Sequence, residues 1–296
     1  MASLLVISLA VAACGRKAPP RWIEYPPPGA PEALSALVRP DSVRLTWEHE
    51  YALAEEAGVY YVVERMTDGV YAEAARTDTR TAVFDGRGAY RVLACEAHRE
   101  TCGPASGVIE TSGEPLPRAP FGGEAKVRGA EVTFSWAHAD GEAYNVYTTA
   151  DAVAPVNPVP LGEPGYTAPA LPDGEMSYLV RAAFVRGPVV HEGPASDPVS
   201  VGPGDYVPSA PGGLDAVLAE GGRAVLLWAG APEPWVKGYR VYRSVDGGAF
   251  EPVGESRSTA YTDAVPEGAL RVKYRVTALG PEAEGPASGA EEARRP

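Results

Sequence analysis

Chemistry in this chain of 296 residues would have to come from three cysteines, four histidines and 39 carboxylates. No Cys-x-x-Cys, no His-Glu-x-x-His and no histidine pair at ligand spacing occurs, so no metal site is expected. His49 and His138 each follow a Trp by two residues, whereas His98 and His191 fall in last-hairpin loops. Gly103-Pro104-Ala105-Ser106-Gly107 comes nearest to a nucleophile elbow, but its Ser stands one place too late for Gly-x-Ser-x-Gly. Carboxylates are spread over loop segments without a signalled pair. The expectation is a non-enzyme with no cofactor.

The balance of 39 acidic against 26 basic residues gives a net charge of −13. Nucleic-acid binding needs Lys and Arg to displace counterions, so it is excluded as a function class. Hydrophobic residues make up 45%, too many for a disordered chain, while 33 Gly and 30 Pro are too many for a helical bundle. Many short strands are expected instead.

Residues Ser3 to Ala13 form an apolar run that ends Val11-Ala12-Ala13-Cys14. It is too short to span a bilayer, which takes about 20 residues, and suits the core of a secretory signal. Small residues directly before the cysteine resemble the lipobox of bacterial lipoproteins, which implies acylation at Cys14. Met1 to Leu5 lack the usual basic residues, as a misplaced start codon or an atypical signal would explain. The alternative is a buried apolar segment with a chance cysteine. Gly15, rather than Asp, follows the Cys, which by the same resemblance implies the outer membrane. The prolines at 19, 20, 26, 27 and 28 favour an extended spacer of about 3.1 Å per residue. Arg16, Lys17 and Arg21 sit where anionic headgroups would meet them.

The elements that position everything else are set by an internal triplication. Gly-Pro-Ala-Ser occurs at 103–106, 193–196 and 285–288, in step with Trp47, Trp136 and Trp228. A Tyr-x-Val segment follows each Trp, beginning at Tyr90, Tyr178 and Tyr274, and Pro31, Pro120 and Pro211 precede them. The repeat is about 90 residues long. Within each copy, short period-2 segments such as Val43-Arg44-Leu45 and Tyr239-Arg240-Val241-Tyr242 alternate with turn signals such as Asp246-Gly247-Gly248. The fold class is all-β.

These landmarks resemble the fibronectin type III module. The resemblance implies three tandem β-sandwiches, with Trp47, Trp136 and Trp228 on the second strands. It also makes Tyr90, Tyr178 and Tyr274 tyrosine corners whose hydroxyls bond nearby backbone. The organisation is a signal peptide at 1–13, a Pro-rich tether at 14–28, and modules at 29–113, 114–203 and 204–296. The second module is the least regular, because Ala154 to Pro172 holds six prolines that shorten or replace its middle strands. Short Pro- and Gly-containing linkers near 113–120 and 203–211 imply a semi-rigid rod.

On this frame Cys95 and Cys102 flank the turn between the last two strands of the first module. Tyr90, Val92 and Ala94 point inward and Cys95 outward, in reach of a partner on the last strand. In an oxidising compartment the two are expected to form a disulfide; free thiols or half of a metal site are the alternatives. Arg240, Tyr242, Lys273 and Arg275 occupy outward positions on adjacent strands of the third module. They make a candidate basic-aromatic patch for an anionic or sugar-like partner, against the plainer reading of cross-strand pairing on a solvated face. Trp235 is expected to pack against the neighbouring module in preference to a ligand.

The reading is a lipid-anchored cell-envelope protein whose modules space or present a protein-binding surface. Its expected partners are the membrane, through Cys14, and another envelope protein or a polysaccharide. The rival readings are a glycan-binding accessory and an enzyme with its site between residues 137 and 192.

Overall fold

A computed structural model describes residues 26–51, 58–98 and 100–295. Cys14, the apolar segment 1–13 and most of the tether lie outside the described residues. The first module comprises β1 (Glu32–Val38), β2 (Val43–Glu48), β3 (Val59–Thr67), β4 (Val70–Thr77), β5 (Thr81–Phe84), β6 (Ala89–Glu96), β7 (Thr101–Cys102) and β8 (Ile109–Glu110). The second comprises β9 (Phe121–Arg128), β10 (Glu131–Ala137), β11 (Ala143–Thr148), β12 (Gly165–Pro169), β13 (Met176–Arg186), β14 (Val189–Ala195) and β15 (Val199–Val201). The third comprises β16 (Gly212–Ala219), β17 (Arg223–Ala229), β18 (Gly238–Val245), β19 (Glu251–Ser256), β20 (Ala260–Ala264), β21 (Val272–Leu279) and β22 (Glu291–Glu292).

In the third module the sheet β16-β17-β20 faces β19-β18-β21-β22, and the first module repeats the plan with β1-β2-β5 against β4-β3-β6. The named strands of each module pair antiparallel, and Arg294 adds one parallel bridge to Val217 in the third. This is the two-sheet layout of fibronectin type III sandwiches, in three tandem copies. Alternation puts one apolar face of each strand inward, so β17 reads Ala224, Leu226 and Trp228 buried between exposed neighbours. The Asp246-Gly247 hairpin forms as expected, both residues having positive φ (51° and 83°).

The second module has no counterpart of β4 or β19 among the described residues. Prolines at 155, 158, 160 and 164 cannot donate to a ladder, and a loop replaces the strand. Asn157 supplies part of the missing pairing: its side chain accepts from the Val146 N–H at 2.7 Å and donates to the Tyr144 carbonyl at 3.3 Å.

Each core is built round an edge-to-face Trp–Tyr pair: Trp47–Tyr61 at 5.3 Å, Trp136–Tyr144 at 5.4 Å and Trp228–Tyr239 at 5.4 Å. The expected tyrosine corner is met in full only once, where the Tyr90 hydroxyl donates to the Gly86 carbonyl at 2.7 Å. Tyr274 donates instead to the Asp263 carboxylate at 2.7 Å, a group already paired with Arg243 at 2.8 Å. Tyr178 is half-buried against Phe134 and makes no side-chain hydrogen bond among the described residues. The fully buried hydroxyl of that region belongs to Tyr206, which accepts from the Leu171 N–H at 2.9 Å.

Gly-Pro-Ala-Ser has a packing role in all three copies, and its Gly is not there to turn the chain. None of Gly103, Gly193 and Gly285 has a positive φ. Instead a Cβ on them would lie 1.8, 2.1 and 2.3 Å from the carbonyl oxygens of Pro28, Pro117 and Pro208, so each incoming segment presses on bare backbone. The Ser then completes the neighbouring ladder: the N–H groups of Val92, Val180 and Val276 donate to Ser106, Ser196 and Ser288 Oγ at 2.9–3.0 Å. Gly103→Ala is expected to cost about 1–3 kcal/mol through overpacking against backbone. Gly107→Ala, whose Cβ would meet nothing within 4 Å, is expected to be near neutral. Paired urea titrations separate the two.

One connection has no signal in the period of the strands. β14 continues past the body of the second module and pairs in parallel with β1, in the register Ala36↔Val189, Leu37↔Val190 and Val38↔His191. A single sheet therefore runs β11-β13-β14-β1-β2-β5 through two modules, and Val189 is buried in the first module's core.

Candidate functional site: outer sheet faces and module joints

The Cys95–Cys102 disulfide is formed across directly paired positions of β6 and β7. Cys95 lies on the outer face with Arg91 and Leu93 yet is fully buried, so only Cys102 is exposed. A short loop of this kind contributes about 2–3 kcal/mol in the chain-entropy view. The lipidation candidate Cys14 lies outside the described residues.

Of the four histidines, His49 and His191 are buried while His98 and His138 are exposed. His49 Nδ1 lies 3.2 Å from the Tyr61 hydroxyl and His138 Nδ1 2.9 Å from that of Tyr144, so both extend the Trp–Tyr pairs. His98 follows β6, and its backbone N–H donates to Glu96 Oε1 at 2.6 Å. His191 is not in a loop: β13 and β14 extend beyond the sandwich and carry it into the strand paired with β1. It is buried at the joint with its Nδ1 unpartnered. Among the described residues, no three His, Cys, Asp or Glu side chains converge as metal ligands.

Burial lowers the His191 pKa; of the charges that bear on it, Glu114 opposes the shift while Arg87 and Arg186 add to it. The unfolded chain then takes up a proton before the folded one does. Stability at this joint is present above about pH 6.5 and declines as pH falls below it. His49, lowered mainly by burial, acts with the same sign. A drop in urea midpoint between neutral and mildly acid pH, reduced in His191→Gln, is the expected result.

The patch residues do share one outer face of β18 and β21, with Tyr242 directly opposite Arg275. They share it with carboxylates from other segments. Arg240 pairs with Glu255 at 2.8 Å and with Glu284, and the Tyr242 hydroxyl donates to Glu284 at 2.5 Å. Burial works against ionising Glu284, but hydrogen bonds from Thr277 and Tyr242 and the charge of Arg240 hold its carboxyl below the usual range. Arg275 covers the Phe250 ring at 4.4 Å, and Lys273 lies opposite Glu292. Arg240 is thus neutralised by two carboxylates on this face, and Tyr242 is bonded to one of them. Reading β18 and β21 alone left out Glu255 and Glu284, which come from β19 and from the loop after β21.

Sequence reasoning missed the same constellation in the second module. Glu192, like Glu284, directly precedes Gly-Pro-Ala-Ser, and Asn145 and Tyr147 stand relative to Tyr144 as Arg240 and Tyr242 do to Tyr239. The fully buried Glu192 accepts from Asn145 at 2.6 Å and from Tyr147 at 2.5 Å. Here the cation comes from the first module: Arg39 Nε donates to Glu192 at 2.9 Å, and its guanidinium lies over the Tyr147 ring at 4.9 Å. Arg39 also donates to the Ala152 carbonyl at 3.0 Å, and Arg44 to that of Val153 at 2.8 Å, both in the loop that replaces a strand. Burial opposes the Arg39 charge, and Glu192 more than restores it, so the Arg39 pKa is raised. Burial, then Glu192, keeps the Tyr147 phenol protonated by raising its pKa. The one signal in the sequence was the acid placed before the repeated motif.

The second joint is aromatic. Trp235, from the loop between β17 and β18, belongs to the second module's core, edge-on to Tyr206 at 5.4 Å. Its indole N–H donates to the Gly129 carbonyl at 2.6 Å, and Lys237 pairs with Asp173 at 2.9 Å. The expected interdomain role of Trp235 is observed.

No family model and no curated protein matches the sequence. Among solved structures, the FN1–FN3 domains of chicken CNTN1 are similar at 17% identity over 90% of this chain and 98% of that one, with a TM-score of 0.31. An Fn3-like protein from Clostridium thermocellum is similar at 34% identity over 31% of this chain and 96% of that one, with a TM-score of 0.28. The fold assignment rests on the strand order and packing described above.

Proposed function

We propose that the chain is a non-catalytic, lipid-anchored scaffold of the bacterial cell envelope, which holds a protein-binding surface at a fixed distance and angle from the outer membrane. The observation that carries this reading is the sheet running unbroken from β11 to β5 through two modules. Flexible tandem arrays leave such faces separate, whereas this joint and the Trp235 anchor fix both module-to-module relations. The apolar run before Cys14 and the Pro-rich segment after it supply the attachment and the spacer.

Intact-mass analysis of membrane-extracted protein tests the anchor. The expected species begins at Cys14 and carries acyl mass that Cys14→Ala abolishes; an unacylated chain retaining residues 1–13 overturns anchoring. Spin labels on the first and third modules test the scaffold. A single narrow distance distribution is expected, and a broad one overturns the fixed geometry whatever the anchor shows. Polysaccharide capture that is lost when Arg240, Tyr242, Lys273 and Arg275 are all replaced would make the partner a glycan.

A further inference from the structure

The three-stranded sheets of the modules differ sharply on their outer faces. At equivalent central positions on the second strand, the first module has Arg44 and Thr46 and the second has Thr133 and Ser135. The third has Val225 and Leu227, 37% and 55% exposed, with Val217 (37%) directly opposite Val225 on β16. Alanines and Thr262 fill the remaining outward places on β20 and at the strand ends. Nothing in the chain covers this face among the described residues.

The charges on the face indicate what does. Asp215 lies opposite Leu227 at one end, and Arg223 lies opposite Ala219 at the other. Both are exposed, and neither has an ion-pair partner among the described residues. Arg294, which pairs alongside Val217 at the sheet edge, is already neutralised by Glu291. Asp215 and Arg223 stand four rows apart, about 13 Å, too far to meet within one copy. Two copies turned head to tail about a two-fold axis bring each Asp215 and Leu227 to the partner's Ala219–Arg223 end, while Val217 and Val225 in the central row pack on their counterparts. An isologous contact needs such a self-complementary pattern.

We propose that the outer face of β16, β17 and β20 is a homodimerisation surface. The face measures about 14 by 20 Å, well below the roughly 800 Å² per partner of a stable interface. The dimer is therefore weak in solution, with Kd on the order of 10–100 µM, and is favoured where copies are concentrated on a surface.

Sedimentation velocity of the full chain, in mild detergent and over about 5–500 µM, tests this. A reversible monomer–dimer equilibrium is expected, with Val225→Glu, which sets like charges against each other across the axis, monomeric throughout. Asp215→Arg and Arg223→Asp are each expected to weaken association at least about tenfold, and the double reversal to restore it. Urea midpoints of the outward variants should match the parent, which guards against simple unfolding. A parent that stays monomeric, a Val225→Glu variant that still dimerises, or a double reversal that fails to rescue overturns the proposal.

Discussion

Replacing Glu192 by alanine is expected to cost about 3–5 kcal/mol and to part the first two modules, because it strands a buried cation and removes a shared acceptor. Arg39, Asn145 and Tyr147 all donate to this one carboxylate, and none of the three is fully accessible to water as a substitute. Loss of the charge also removes the reason for Arg39 to stay beneath the 149–164 loop, whose carbonyls it and Arg44 hold. The measurement is hydrogen exchange along β1 and β14. Protection of Ala36 to Val38 and of Val189 to His191 should fall together, while strands of the third module keep theirs. Glu192→Gln separates charge from shape, since it retains the acceptor oxygen but adds donors facing Asn145 and Arg39. It should fall between the parent and alanine. Unchanged exchange at β1 in Glu192→Ala would mean that the strand pairing alone holds the joint.

Trp235→Ala is expected to be nearly as costly, about 3–5 kcal/mol, although the residue belongs in sequence to the third module. The damage should appear in the second. The ring fills that module's core beside Tyr206, and its N–H satisfies the Gly129 carbonyl. A cavity there should lower the second module's unfolding midpoint and free the third to reorient, so that the spin-label distance broadens. Trp235→Phe keeps most of the apolar fill and loses the hydrogen bond, and should recover most of the stability with less of the orientation. If alanine destabilises only the third module, the ring is not part of the second core in solution.

What the sequence made legible was what repeats. Trp47, Trp136 and Trp228, the Tyr-x-Val segments and Gly-Pro-Ala-Ser are fixed by sandwich geometry, and geometry used three times leaves a period. The Cys95–Cys102 pair and the turn at Asp246-Gly247 were local enough to read from strand alternation. What stayed hidden was whatever occurs once and joins distant residues. The β1–β14 pairing depends on a hairpin outgrowing its module, and neither strand's composition marks it. Glu192 looked like one of 39 acids until Arg39 was found 153 positions away. Tyr178 kept the motif but lost the corner, because Tyr206 from beyond the expected boundary at 203 fills the polar role. At the Arg240 patch the outward direction was legible, but the carboxylates that pair with Arg240 were not.

The position of β1 has a mechanical consequence. It is the first strand among the described residues, and it lies between β2 and β14 instead of at an open edge. Tension entering through residue 26 and directed along the strand loads hydrogen bonds to both neighbours in parallel, so β1 must shear from two partners at once and cannot peel away bond by bond. The first module is thereby clamped by the one behind it. A pull that would strip the leading strand from an isolated sandwich is instead passed on to the second module, and the first two yield as one body.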